Sequence, residues 1–372
     1  MPPAGGPLPP LPLTVLTGFL GAGKTTLLNN LLRDPALEGT VVIVNEFGEI
    51  GLDHLLVETA DEGMILLSAG CLCCTVRGDL IATLEDLLRR RDNGRVQPFK
   101  RVVIETTGLA DPAPILHAVL YHPYLSMRYA LDGVVTVVDA VNGLATLDRH
   151  EEALRQAAVA DRIVLAKTDL ASNGLAALRR RLTALNPGAA VIDAGAGDVA
   201  ASDVLGAGLF DLDGKIADVR GWLKAEAVAA AESRMAGHTH GHPHAHDVNR
   251  HDASIQAFCL TADEPVRSGA FDLFLDLLRS AHGPQLLRVK GLVALAEDPD
   301  RPVVIHGVQH VMHVPAVLPR WPDGDRRSRI VFIVKDLDRR FVERLWAALL
   351  GRPVIDGPDA AALADNPLAL RS

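Results

Sequence analysis

Gly18-Phe19-Leu20-Gly21-Ala22-Gly23-Lys24-Thr25 sets glycines, a lysine and a hydroxyl at the spacing G-x-x-x-x-G-K-[ST], the pattern that cradles phosphate. The glycines let backbone N–H groups curl around phosphate oxygens, and a following helix adds the partial positive charge of its N-terminus. In this arrangement Lys24 reaches the β- and γ-phosphates and Thr25 places its hydroxyl on Mg²⁺. Gly18, Gly21, Ala22, Gly23, Lys24, Thr25 and Thr26 are therefore the expected phosphate cradle. The flanks agree: residues 13–16 read as a buried strand and 25–33 as a helix. A nucleoside triphosphate is the implied ligand.

Three further segments carry nucleotide chemistry. Val102-Val103-Ile104-Glu105-Thr106-Thr107-Gly108 is an apolar strand ending in a carboxylate, with a glycine three residues on. Glu105 is placed to hold the hydration shell of Mg²⁺ and Gly108 to meet the γ-phosphate. Lys167-Thr168-Asp169 follows another apolar strand. A carboxylate at Asp169 accepts from guanine N1–H and the 2-amino group, a donor pair that adenine lacks, so the sequence favours GTP, with the Lys167 stem over the purine. Asn45-Glu46-Phe47-Gly48-Glu49 reads as a switch loop on the Mg²⁺ side.

A separate chemistry sits at Gly70-Cys71-Leu72-Cys73-Cys74. Three thiolates suit Zn²⁺ or Cu(I), and zinc wants a fourth ligand, which Glu46, Glu49, water or a client side chain would supply. A bond between the adjacent Cys73 and Cys74 would be strained. His238, His240, His242, His244 and His246, with His251, form an auxiliary and unselective metal tract. Cys259 reads as core, and His306, His310 and His313 as structural histidines.

These residues need a scaffold of 372 residues, enough for about two domains, and 48% hydrophobic content supplies the cores. Strands are expected at 13–16, 41–44, 64–67, 101–105, 133–138, 162–166 and 190–192, and helices at 25–33, 78–91, 114–121, 150–158 and 174–185. Apolar strands separated by helices predict a mostly parallel sheet covered on both faces, an α/β P-loop domain. Helices are expected to run on from 200 to 231. A smaller α+β unit follows, with strands at 254–260, 286–296, 303–314 and 330–334 and helices at 269–281 and 339–350. The expected divisions are a tail at 1–12, the P-loop domain at 13–231, a His-rich linker at 232–253, the second domain at 254–352 and a tail at 353–372. With 37 basic and 46 acidic residues the net charge is −9, which argues against nucleic acid or an anionic membrane as the main partner. No run nears the roughly 18 apolar residues of a membrane span. The Pro/Gly-rich start lacks the basic region of a signal peptide, and four cysteines, three of them crowded together, make no disulfide framework. A reducing cytoplasm is expected.

Thr17–Thr26, Asn45–Glu49, Gly70–Cys74, Glu105-Thr106-Thr107-Gly108-Leu109-Ala110-Asp111-Pro112 and Lys167-Thr168-Asp169 together resemble the CobW-like metallochaperone GTPases, relatives of the urease and hydrogenase nickel-insertion GTPases. Leu287-Arg288-Val289-Lys290-Gly291 and His306-Gly307-Val308-Gln309-His310 resemble that family's C-terminal domain. The resemblance implies a slow GTPase that binds Zn²⁺, or in some members Co²⁺, at the cysteine motif and gates its transfer to a client metalloprotein, with a nucleotide-dependent homodimer. A cobalt chaperone for cobalamin synthesis is the alternative within the class; a P-loop phosphotransferase or a passive metal buffer are the alternatives outside it. One departure is Ala166, where the family carries Asn, Ser or Thr: a methyl makes no hydrogen bond to the base.

Overall fold

Val, Ile and Leu crowd the strands of the first unit because both faces of its sheet are covered. β1 (Leu11–Gly18), β2 (Thr40–Asn45), β3 (Val57–Ala60), β4 (Met64–Ala69), β5 (Arg101–Glu105), β6 (Tyr129–Asp139), β7 (Arg162–Ala166) and β8 (Ala190–Asp193) form one eight-stranded sheet in the order β3-β4-β2-β5-β1-β6-β7-β8. Every neighbouring pair is parallel except β3 with β4. The computed structural model describes residues 9–45, 57–60, 64–69, 76–171, 173–195, 199–206, 255–313 and 315–352.

Alternate residues of single strands enter opposite cores. Leu13, Val15, Val41, Ile43, Val102 and Ile104 pack with Leu84, Leu88, Leu116 and Val119 of the helices Val76–Asp92 and Ala113–Tyr121. Leu16, Val42, Val103, Val135 and Val137 pack on the other face with Leu27, Leu28 and Leu31 of the helix Lys24–Leu31. β1 lies between β5 and β6, both remote in sequence. The chain leaves β1 toward β2 on one side and later crosses from β5 to β6 on the other, a topological switch point whose crevice opens at the strands' C-terminal ends. The P-loop begins there.

The second unit is an antiparallel sheet of β9 (Ile255–Ala262), β10 (Leu286–Leu295), β11 (Asp298–Val308), β12 (Val311–Met312), β13 (Ala316–Val317) and β14 (Ser328–Lys335), ordered β12-β11-β10-β14-β9 with β13 on β11. The helices Ser268–His282 and Arg339–Leu349 cover one face through Phe271, Phe274, Leu278 and Trp346, which meet Phe258 and Phe332. On the other face Leu287 and Ile333 enter a core shared with Leu154, Leu178 and Leu182 of the first unit's helices. The two units thus share one apolar seam. At its edge Asp161 is buried against Arg288 and Lys290, with His306 also buried and the half-buried His313 beside it.

The expected α/β architecture with its α+β second domain is present, and several details differ. The strand expected over 303–314 is two strands, β11 and β12, broken by a turn at Gln309 and His310, where Gln309 has φ 54°. The helix expected at 150–158 is preceded by another, Gly143–Arg149, and Pro123–Arg128 forms a further short helix started by proline. β3 was not anticipated. Of the helices expected over 200–231, Ala201–Val204 is present and 207–231 lies outside the described residues. Cys259 is half-buried rather than core. Among the described residues no helix is long and apolar enough to cross a membrane.

Candidate active site

The phosphate cradle is built by backbone conformation. Gly18 (φ 143°), Gly21 (φ 70°) and Gly23 (φ 101°) occupy the left-handed half of backbone space, which a side chain would strain. Gly23 is the N-cap of Lys24–Leu31 and offers no side-chain cap, so the first N–H groups of the helix are left for an anion. Lys24 Nζ, buried at 9% exposure, donates to Gly18 O at 2.8 Å and Phe19 O at 3.3 Å, which holds the ammonium inside the curl of the loop.

The end of β5 reaches the same point. Thr25 Oγ1 donates to Glu105 Oε1 at 2.8 Å, and Glu105 is buried at 4% exposure. Residues 80 positions apart therefore place a hydroxyl and a carboxylate in contact at the helix N-terminus. That donor set fits Mg²⁺ held by Thr25, with Glu105 orienting the ion's water. Thr106 Oγ1 ties this strand end back to β1 through Thr17 Oγ1 at 2.8 Å. Beyond it, Gly108 lies against the P-loop so closely that a Cβ there would stand 2.5 Å from Leu20 N and 2.6 Å from Leu20 Cα. Glycine is required by space, not by φ.

The base motif docks on the cradle from the other side. Lys167, also in the left-handed region (φ 60°), donates from Nζ to Gly21 O at 2.7 Å and to Asp139 Oδ2 at 2.8 Å. The lysine therefore braces two loops. Burial opposes charge on Asp139, but the Lys167 bond and the N–H groups of Asn142 and Val141 outweigh it and hold its carboxyl below the usual range. A Cβ on Gly23 would lie 3.5 Å from Ala166 Cβ, so the two motifs touch. Asp169 is exposed on a cleft of about 740 Å³ lined also by Gly23, Thr26, Asn30, Lys167 and Leu170. Ala194 and Gly195 line the same cleft. Sequence reading missed this second wall. Asp193 at the end of β8 shapes it, accepting from Thr168 Oγ1 at 2.5 Å and Gly195 N at 3.1 Å. The signal was a carboxylate followed by Ala-Gly at a strand end, the same grammar as Glu105.

The structure thus brings together Gly18, Gly21, Ala22, Gly23, Lys24, Thr25, Glu105, Gly108 and Lys167, and places Thr26 and Asp169 on the adjoining cleft. Glu46, Glu49, Cys71, Cys73, Cys74 and the histidines from His238 to His246 lie outside the described residues. Among the described residues no three His, Cys, Asp or Glu side chains gather as a metal site.

Comparison with known proteins agrees with this geometry. Residues 12–193 match the CobW/HypB/UreG nucleotide-binding domain, and residues 255–350 match the cobW C-terminal domain of cobalamin synthesis proteins. The zinc chaperone YjiA of Escherichia coli is 34% identical over 91% of this chain and 99% of its own length. The zinc chaperone CobW of a Sinorhizobium species is 32% identical over 91% of this chain and 97% of its own length. The crystal structure of the Zn(II)-bound YjiA GTPase superposes with a TM-score of 0.69 over 92% of this chain and 99% of that one, at 31% identity. With both halves matched and relatives aligned end to end, the chain belongs to the CobW/HypB/UreG family and carries the CobW C-terminal domain.

Proposed function

We propose that the chain binds GTP with Mg²⁺ at the P-loop, hydrolyses it to GDP and phosphate, and uses that cycle to gate a zinc ion for transfer to a client metalloprotein. The observation that carries the nucleotide half is the 2.8 Å bond between Thr25 and Glu105 inside a glycine cradle. The ion supplies neutralising charge at the β- and γ-phosphates when bound. Lys24 and the N–H groups after Gly23 bind the phosphates, Gly108 meets the terminal one, and Asp169 reads guanine. The zinc half rests on the three thiols Cys71, Cys73 and Cys74, with Glu46 or Glu49 as the fourth donor, and on the chaperone relatives. The His238–His246 tract would serve as an auxiliary store, the cytosol as the compartment and a nucleotide-dependent homodimer as the working form.

The test is Zn²⁺ and Co²⁺ affinity by chelator competition with a GTP analogue, GDP or no nucleotide. A shift of tenfold or more between nucleotide states, about 1.4 kcal/mol of coupling, supports gating. Equal affinities in all three states would leave a nucleotide-indifferent metal buffer, and tighter Co²⁺ would rename the cargo. In the same assay Cys73→Ala is expected to weaken Zn²⁺ by at least about tenfold while leaving GTP binding intact. Parental zinc affinity in that variant would remove the cysteines from the site.

Base choice gives a second expectation. Asp169→Asn turns one acceptor into a donor, so GTP affinity should fall on the order of a hundredfold. Xanthosine triphosphate, whose C2 carbonyl accepts where guanine donates, should then bind better than GTP. Competition between the two nucleotides decides it, and an unchanged GTP preference would move base recognition away from Asp169.

A further inference from the structure

We propose that Gln309, on the C-terminal sheet, is a positioning residue of the nucleotide site, acting through Asp111 on the loop 108–111. The proposal rests on the reading that Gly108 meets the γ-phosphate.

That loop is fastened at three places. Gln156, 1% exposed, donates from Nε2 to Gly108 O at 3.2 Å and to Ala110 O at 3.0 Å. Asp111 Oδ1 accepts from Ala113 N at 2.9 Å, at the first residue of the helix Ala113–Tyr121. Asp111 Oδ2 accepts from Arg155 Nη1 at 3.4 Å and from Gln309 Nε2 at 3.1 Å. Gln156 and Arg155 belong to the helix Glu151–Val159 of the nucleotide unit. Gln309 comes from the other sheet, 198 residues away in sequence.

Two features show that this reach is built. Gln309 is the first residue of the two-residue turn joining β11 and β12, and its φ of 54° is a conformation that glycine or asparagine adopts more easily. A long amide side chain at such a position is kept against local preference, as strained residues near functional loops often are. The same turn is also pinned at the far end of Ala113–Tyr121: Tyr121 Oη donates to His310 O at 3.1 Å, and the His117 and His310 rings stand 4.9 Å apart. The hairpin therefore spans the helix that the nucleotide loop begins, touching both its ends. A loop that shifts when γ-phosphate binds or leaves carries Asp111 with it, and through the bond from Gln309 that shift is coupled to the hairpin as well as to Arg155. The C-terminal sheet in this way sets the placement of Gly108 against the P-loop.

Steady-state GTP hydrolysis on the full chain tests it with Gln309→Ala, Gln309→Asn, Gln309→Glu, and Gln309→Glu combined with Asp111→Asn. Gln309→Ala should lower kcat about fivefold or more, with KM for GTP and Kd for GDP within about twofold of the parent. Gln309→Asn fits the left-handed turn and keeps an amide, but one methylene short; it should lose kcat likewise with an unchanged melting temperature. Gln309→Glu sets like charges face to face and should lose more. Adding Asp111→Asn to Gln309→Glu lets the amide at position 111 donate to the carboxylate at position 309, which takes over the negative charge that Arg155 Nη1 faces, while the carbonyl at 111 still accepts from Ala113. The exchanged pair should therefore recover at least half of the lost kcat. Parental kcat in Gln309→Ala and Gln309→Asn, or no recovery in the exchanged pair, overturns the proposal. Gly108→Ala separates the two failures. If that variant binds GDP and hydrolyses GTP at the parental rate, the γ-phosphate reading of the loop falls, and this proposal with it. If Gly108→Ala is slow and Gln309→Ala is not, only the role of Gln309 falls.

Discussion

Thr25→Ala is expected to lower kcat for GTP hydrolysis on the order of a hundredfold at saturating Mg²⁺, while GDP without Mg²⁺ binds as in the parent. One hydrogen bond carries this effect. Thr25 Oγ1 stands 2.8 Å from Glu105 Oε1 at the first turn of the helix after the P-loop. Removing the hydroxyl takes away the ligand proposed for Mg²⁺ and leaves a buried carboxylate facing a methyl. Glu105→Gln keeps shape and a hydrogen bond but drops the charge that orients the ion's water, so it should lose rate to a smaller extent. Phosphate release measured against Mg²⁺ concentration separates the effects. A rate for Thr25→Ala within about threefold of the parent at every Mg²⁺ concentration would place the ion elsewhere and undo the assignment of both residues.

That pair was legible in the sequence because each member belongs to a short, local pattern. Glycine spacing fixes the P-loop, and a carboxylate at the end of an apolar strand fixes Glu105. The parallel sheet was legible for a similar reason: strands buried on both faces read as unbroken Val/Ile/Leu runs. What stayed hidden depends on contacts between distant segments. Asp193 looks like the end of an edge strand until Thr168 and Gly195 are seen to bond to it. Gln156 sits inside an amphipathic helix, where a glutamine draws no notice, yet its amide holds the loop that carries Gly108. The turn at Gln309 lacks the Gly or Asn that announces a hairpin, so β11 and β12 read as one strand. In each case the residue's role lies in a contact with a distant segment, which no local pattern announces.

The largest stability effect is expected where the two units meet. Asp161 and Arg288 are an ion pair buried at 6% and 5% side-chain exposure, and Lys290 Nζ lies 3.2 Å from the same carboxylate oxygen. Arg288 also donates to Val159 O at 2.8 Å, and Val134 N donates to Asp161 Oδ2 at 2.9 Å, so the charges are embedded in hydrogen bonds. Burial alone would raise the Asp161 pKa; Arg288 and Lys290 outweigh it and hold the carboxyl well below its usual range. Asp161→Asn keeps the shape and leaves buried cations without their carboxylate. Breaking such a pair costs about 3–5 kcal/mol, against roughly 1 kcal/mol or less for a surface pair. Urea unfolding in a Trp222→Phe background, followed by tryptophan fluorescence that then comes only from Trp321 and Trp346 of the C-terminal unit, and by far-UV circular dichroism, should show a lowered midpoint. The two probes should also separate, because the seam no longer couples the units. The same seam predicts acid sensitivity. Burial, reinforced by Lys290 and Arg288, pushes His306 well below its ordinary 6.5, and burial with Arg288 pushes His313 down to about 4. The unfolded chain therefore binds more protons than the folded one below pH 6.5. Stability is complete above that pH and falls as pH drops from 6.5 toward 4, before Asp161 itself takes up a proton. His306→Gln should flatten that part of the profile. A parent whose unfolding midpoint is constant from about pH 7 to about pH 4.5, or an Asp161→Asn variant that loses less than about 1 kcal/mol, would mean that water reaches these charges and that the seam is open in solution.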